Sequence, residues 1–162
     1  MSRIILLVGV PGSGKSTLAT KLSKKGFVIL NADSIREEIW GDAAEQKEPQ
    51  KIFGILYARL EELLKQGKDV AVDNTNLSYK LRKQVIDRAR KAGCTDIQLW
   101  LLDVPLEVCL ERNQKRDRSV PEDIVANMYM ELNRTGRPKD SEGKLVLLRP
   151  DKSGNDFRIF YA

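Results

Sequence analysis

Arg3-Ile4-Ile5-Leu6-Leu7-Val8-Gly9-Val10-Pro11-Gly12-Ser13-Gly14-Lys15-Ser16-Thr17 joins a continuous apolar run to a glycine-rich turn. Residues 3–10 show no polar alternation, the pattern of a strand buried on both faces of a parallel sheet. Gly9 to Thr17 then satisfies the full phosphate-loop pattern, G-x-x-x-x-G-K-[S/T]. Its glycines let successive backbone N–H groups turn inward around a β-phosphate. Lys15 neutralises charge on the β- and γ-phosphates, and Ser16 offers a hydroxyl to Mg²⁺. A helix that starts here aims its positive end at the same phosphates. Gly12, Ser13, Gly14, Lys15, Ser16 and Thr17 are therefore the expected nucleotide cradle. ATP and Mg²⁺ are the expected cofactors, with Ser16 as a metal ligand.

Strand and helix patterns alternate outward from this point. Ser16 to Lys25 reads as a helix stopped at Gly26, and Phe27 to Asn31 as a short strand. A helix is expected from Ser34, where Ser34-x-x-Glu37 makes a capping box. Ile52, Leu56, Leu60, Leu63 and Leu64 mark an amphipathic helix ending at Gly67. Val70 to Asp73 is a third strand, and Leu81, Val85 and Ala89 line the next helix. Ile97 to Leu102 is a fourth strand. A helix from Leu106 to about Asn113 runs into the basic segment Gln114 to Arg118. Pro121 opens another helix, with Ile124, Met128 and Leu132 on one face. Gly136 to Gly143 reads as a polar loop. Leu145 to Leu148 and Phe157 to Tyr161 pair as a terminal hairpin across the Pro150 to Asn155 turn. The fold class is α/β: an open parallel sheet flanked by helices, of P-loop kinase type, with a basic lid at about 113–120. Ligands in such sheets bind at the carboxyl ends of the strands. Gly9 to Ser16, Asp33 and Asp73 should thus surround one crevice.

At 162 residues, one domain over 1–162 is expected, with the tail 137–162 unassigned. The 41% hydrophobic and 31% charged fractions are those of an ordinary globular protein. No apolar run is long enough to cross a bilayer, so no membrane role and a cytoplasmic location are expected. Cys94 and Cys109 have neither Cys-x-x-Cys nor metal spacing, and read as buried free thiols in a reducing compartment. The chain has no histidine, which excludes Ser-His-Asp hydrolysis, His-based phosphodiesterase sites and most zinc sites. Any general base must be a carboxylate or a lysine. A net charge of +5 suits a polyanionic partner, although a solvated basic surface explains it about as well. No obligate protein partner is indicated.

Four groups of residues carry candidate chemistry. Asp33 lies just past the second strand and is either a helix N-cap or, with Ser34 as the cap, free to act as general base on a substrate hydroxyl. Arg36, three residues on, shares a helical face with Asp33 and makes either an acceptor contact or a surface ion pair. Asp73-Asn74-Thr75-Asn76 follows the third strand; a carboxylate there holds Mg²⁺ through water or orients acceptor-site groups. The plainer alternative is a polar turn in which Asn76 or Ser78 caps the next helix. Arg112, Lys115, Arg116 and Arg118 form a basic cluster that is either a solvated face or a mobile lid supplying charge to the transferred phosphate.

These segments together resemble the 5′-hydroxyl polynucleotide kinases of phage and bacterial end-healing type. The likeness is carried by Gly-Val-Pro-Gly-Ser-Gly-Lys-Ser-Thr, by Asn31-x-Asp33-x-x-Arg36, by Asp73-Asn74-Thr75-Asn76-Leu77, and by Asp103-Val104-Pro105 leading to Arg112-Asn113-x-Lys115-Arg116. Val120-Pro121-x-x-Ile124-Val125-x-x-Met128-Tyr129 also fits, so the resemblance covers about residues 3 to 132. It implies that Asp33 is the general base and that Arg36 holds a phosphate of the acceptor strand. Asp73, with Thr75, would shape the acceptor site, and Arg112 and Arg116 would contact the donor phosphates. Lys15, Asp33 and Arg116 are then the expected catalytic residues, and the 5′-hydroxyl ends of DNA or RNA the expected substrate. Many end-healing kinases are fused to a phosphatase or ligase, and this chain has no Asp-x-Asp phosphatase signature. Kinases of small metabolites, drugs or sugar nucleotides share parts of the same pattern and stand as the alternative. A GTP-type switch is disfavoured, since no Asn-Lys-x-Asp guanine reader is present.

Overall fold

The computed structural model describes residues 2–154 and 156–161; Met1, Asn155 and Ala162 lie outside the described residues. Six strands form one sheet: β1 (Arg3–Val8), β2 (Val28–Leu30), β3 (Val70–Asp73), β4 (Asp96–Leu102), β5 (Lys144–Pro150) and β6 (Phe157–Tyr161). Their order is β2-β3-β1-β4-β5-β6. The first five are mutually parallel, and β6 returns antiparallel on β5. The expected terminal hairpin is therefore present, and its first strand is also a fifth member of the parallel sheet. Asn155, in the expected turn, lies outside the described residues.

The unbroken apolar run of β1 is explained by what covers it. Ile4 and Leu6 face α2 (Ala32–Trp40), α3 (Pro49–Lys65) and α4 (Tyr79–Lys91), meeting Ile35, Leu56 and Val85. Ile5 and Leu7 face the other way, onto α1 (Lys15–Lys24), α5 (Leu106–Gln114) and α6 (Glu122–Glu131). All four are 0–2% exposed. Burying each such side chain contributes roughly 1.5–3 kcal/mol, so this central strand anchors both layers. Cys94 and Cys109 are free and buried, and burial pushes the Cys109 thiol up to about 11, which leaves it inert. No helix among the described residues is long and apolar enough to cross a membrane.

Three local expectations are corrected. Helix α2 starts at Ala32, not Ser34: Asn31 is the cap, its side chain accepting the Ser34 N–H at 3.0 Å. Asn31 wins because its amide also donates to the Asp73 carbonyl at 2.7 Å, tying the helix start to the end of β3. In α4 the buried face is Arg82, Val85, Ile86 and Ala89, and Leu81 is exposed. In α6 Val125 is buried and Ile124 exposed; Leu132 opens a π-turn, Leu132–Gly136, that shifts the helical register beyond it.

Candidate active site

The phosphate loop leaves β1 and is tied to the loop after β3, where the Thr75 carbonyl accepts the Gly9 N–H at 3.1 Å. Gly12 has φ +85, and a Cβ there would lie 2.2 Å from the Cys109 carbonyl of α5, so glycine is required both for the turn and for the approach of that helix. Gly14, at φ +104, caps α1 through its backbone, and among the described residues no side chain does so. The first-turn N–H donors of Lys15, Ser16 and Thr17 are thus left for a ligand. The Ser13 hydroxyl is buried without a hydrogen-bond partner among the described residues. A backbone cradle with an orphaned polar atom and no capping side chain fits a bound phosphate chain.

Lys15 is half-buried, and its Nζ donates to the Val10 carbonyl at 3.1 Å. Burial pushes its amine down to about 8; Asp73 opposes that shift and Arg116 adds to it. Asp73 is 8% exposed, and burial pushes its carboxyl above the usual range against the pull of Lys15. These two groups and Arg116 therefore share one electrostatic environment, as expected for the floor of a phosphate site. Among the described residues no group of three or more Asp, Glu or Cys is gathered to hold a metal. A cation here would take most of its ligands from nucleotide phosphates and water, with Ser16 and Asp73 as the nearby protein oxygens.

A crevice of about 720 Å³ opens beside α1. Ser16, Asn31, Asp33, Asp73, Arg116 and Arg118 are among its walls, so the strand ends expected to converge do so. Asp33 lies in the first turn of α2, with its side chain half exposed, between two guanidinium groups. Arg36 Nη1 is 2.8 Å from one carboxylate oxygen and Arg118 Nη2 is 3.6 Å from the other. Arg36 is not among the described residues lining the crevice. It is 8% exposed and packs 6.0 Å from the Phe53 ring centroid, and its Nε lacks a partner among the described residues. Asn74 accepts the Ala32 N–H at 3.0 Å, and Asn76 donates to the Leu7 carbonyl at 2.7 Å, which locks the loop after β3 to the start of α2 and to the end of β1. Ser78 caps α4.

The basic segment after α5 is organised by a residue that sequence reasoning left without a role. Asn113 is 2% exposed, donates to the Val120 carbonyl at 2.6 Å and accepts the Val120 N–H at 3.1 Å. One side chain so closes 113–120 into a loop that carries Arg116 and Arg118 over the crevice. Arg112 stays on the other side of the phosphate loop, donating to the carbonyls of Ser13 at 3.5 Å and Gly154 at 2.8 Å. It borders a second hollow of about 610 Å³, with Asp103, Tyr129, Arg149 and Lys152 among its walls. The tail thus joins the site: besides Gly154, the Phe157 ring lies 3.0 Å from where a Cβ on Gly14 would be.

Comparison with known proteins adds to this geometry. The chain is 28% identical over 143 residues to an L-seryl-tRNA(Sec) kinase of Methanococcus maripaludis, covering 82% of this chain and 53% of that protein. It is 31% identical over 136 residues to a putative bifunctional polynucleotide kinase/RNA ligase of Autographa californica nuclear polyhedrosis virus, covering 74% of this chain and 19% of that protein. The chain therefore spans about half, or less, of the length of these curated relatives. A small-molecule enzyme, the shikimate kinase of Clostridium botulinum, also matches at 33% identity over 119 residues, 70% of this chain and 66% of that protein. Among solved structures, a chain of the Pnkp1/Rnl/Hen1 RNA repair complex superposes with a TM-score of 0.74 at 23% identity, over 99% of this chain and 48% of that one. At that identity the likeness speaks for the fold alone, which is the P-loop kinase fold. A family model described as AAA domain matches residues 4–135, from β1 through the phosphate loop, the crevice and the loop 113–120, and the chain belongs to that family.

Proposed function

We propose that this chain is a phosphotransferase that moves the γ-phosphate of ATP to the 5′-hydroxyl end of DNA or RNA. The observation that carries this reading is the placement of Asp33 between Arg36 and Arg118, on the wall of the crevice that Ser16 and Asp73 also line. A hydroxyl brought to Asp33 arrives with a guanidinium on either side. That arrangement suits an acceptor whose hydroxyl has a phosphate nearby, as in a nucleic-acid backbone. Two of the relatives act, by their names, on RNA-linked or polynucleotide acceptors, which supports the same choice. The shikimate kinase likeness keeps a small-metabolite acceptor as the second reading.

In this proposal Asp33 accepts the proton of the attacking hydroxyl, and the phosphate loop with Lys15 holds the donor phosphates. Arg116 reaches the transferred phosphate from the lid, and Arg112 faces the donor from the opposite side. The hollow beside Arg112 then gives the donor nucleoside its place. Mg²⁺, carried by the nucleotide beside Ser16 and Asp73, supplies charge neutralisation on the phosphate oxygens. Asp73 and Thr75 shape the acceptor side.

The lid part of this reading predicts a lower turnover for Arg116→Ala, on the order of tenfold to a hundredfold for loss of one charge stabiliser. Hydrogen exchange over 114–118 should slow when ATP and Mg²⁺ bind. Equal exchange with and without nucleotide would count against a closing lid.

The acceptor part is tested on Arg36. The smallest good substrate should be a nucleoside 3′-monophosphate, not a free nucleoside, and Arg36→Ala should erase much of that difference. The measurement is kcat/KM for a nucleoside with and without its 3′-phosphate, in both proteins. If wild type phosphorylates the two equally well, the acceptor site does not read a nucleic-acid backbone and the metabolite reading takes its place. If Arg36→Ala slows both substrates alike, the residue serves Asp33 alone.

A further inference from the structure

The most deeply buried charge in the described residues lies behind the crevice, not in it. Arg82, in the first turn of α4, is 1% exposed, and Glu142, in the loop before β5, is 6% exposed. Arg82 donates from Nε to one Glu142 oxygen at 2.7 Å and from Nη2 to the other at 3.4 Å. Its Nη1 donates to two carbonyls, of Asn76 at 2.9 Å and of Gly136 at 2.7 Å. Glu142 is held in turn by the Lys139 N–H at 2.7 Å. The segment 136–143, expected as a polar loop, so carries a buried carboxylate.

A buried ion pair is a weak source of stability, because desolvating two charges cancels much of their attraction and an apolar pair of similar volume often serves as well. What arginine adds is direction: a planar fork whose donors point along fixed lines. Here the fork reaches two separate parts of the site. Asn76 belongs to the loop that accepts the Gly9 N–H and holds the end of β1, directly after Asp73. Gly136 ends the π-turn on α6, the helix into which the lid runs. The two parts also touch, since a Cβ on Gly136 would lie 2.1 Å from the Leu77 carbonyl.

We propose that Arg82 is a positioning residue for phosphoryl transfer: held by Glu142, it sets the Asp73–Leu77 loop against the root of the lid. The Asp73 carboxylate and the arginines Arg116 and Arg118 thereby keep their places along the walls of one crevice. This rests on the reading of Asp73 as an acceptor-site residue. It does not depend on which hydroxyl is the acceptor.

Arg82→Lys tests it, because one ammonium keeps the charge but loses the fork that spans the carboxylate and both carbonyls. At saturating ATP and acceptor, kcat should fall about tenfold or more, while nucleotide affinity changes less than about threefold and binding stoichiometry stays at the wild-type value. In an Asp73→Asn background the same substitution should cost less than about twofold, because its effect runs through Asp73. A purely structural role would lower activity by the same factor in both backgrounds, and that result overturns the proposal. Gly136→Ala presses on the Leu77 carbonyl from the lid side without changing any charge, and should lower kcat in the same way. If Arg82→Lys does not fold, a folded Gly136→Ala with wild-type kcat overturns the proposal on its own. If Asp73→Asn alone keeps wild-type turnover, the acceptor-site reading of Asp73 fails, and with it this route from Arg82.

Discussion

Lys15→Ala lowers phosphoryl transfer by about a hundredfold or more and leaves the protein folded. Both halves of that expectation come from the surroundings of the amine. Lys15 stands at the start of α1, half-buried, with Nζ donating to the Val10 carbonyl of its own loop at 3.1 Å. Removing the side chain forfeits one hydrogen bond, a net loss of about 1 kcal/mol, and also lifts the desolvation cost that pushes its amine down to about 8. The fold therefore loses little. The proposed donor site loses the cation that the phosphate loop itself carries, where charge on the transferred group has to be neutralised. Steady-state kinetics and a thermal melt on the same preparation check this. Activity above about a tenth of wild type would contradict the role, and a collapsed melting temperature would make the lysine structural.

Asp33→Asn should lower kcat by roughly 10²–10⁴-fold, the range for losing a general base, with little change in ATP affinity. Asparagine keeps the shape and an oxygen for Arg36, but it cannot take a proton. The donor groups are on other elements: the phosphate loop follows β1, whereas Asp33 is in the first turn of α2. With no histidine in the chain, no imidazole can substitute for the lost carboxylate. Kinetics with a fluorescent-nucleotide binding assay separate the outcomes. If ATP affinity falls in parallel while turnover of bound substrate holds, Asp33 belongs to the donor site.

The central strand, the phosphate loop and the Asp33–Arg36 spacing were legible because each is a local pattern with few physical alternatives. Ile4 to Val8 can stay uninterrupted only where both faces are covered, and that is how β1 sits. What escaped was tertiary. Ser34 looked like a helix cap, yet Asn31 takes that place because its side chain also reaches Asp73, which no local rule reveals. Leu81 was expected on the buried face of its helix and Arg82 was not, since a buried arginine is sensible only once Glu142, sixty positions away, is in view. Asn113 stood in the Arg112-Asn113-x-Lys115-Arg116 pattern without a role, because an amide that closes a loop looks in sequence like any exposed polar residue. The tail matched no motif, but it supplies Gly154 and Phe157 to the edge of the phosphate loop.

The central claim is the identity of the acceptor, and end-labelling tests it most directly. The purified chain is incubated with γ-labelled ATP, Mg²⁺ and, in separate reactions, 5′-hydroxyl DNA, 5′-hydroxyl RNA and a panel of small hydroxylated metabolites. The account predicts label on the 5′ ends of at least one nucleic acid, lost in Asp33→Asn and Lys15→Ala, and little on the metabolites. Label on a metabolite with none on either nucleic acid would contradict it.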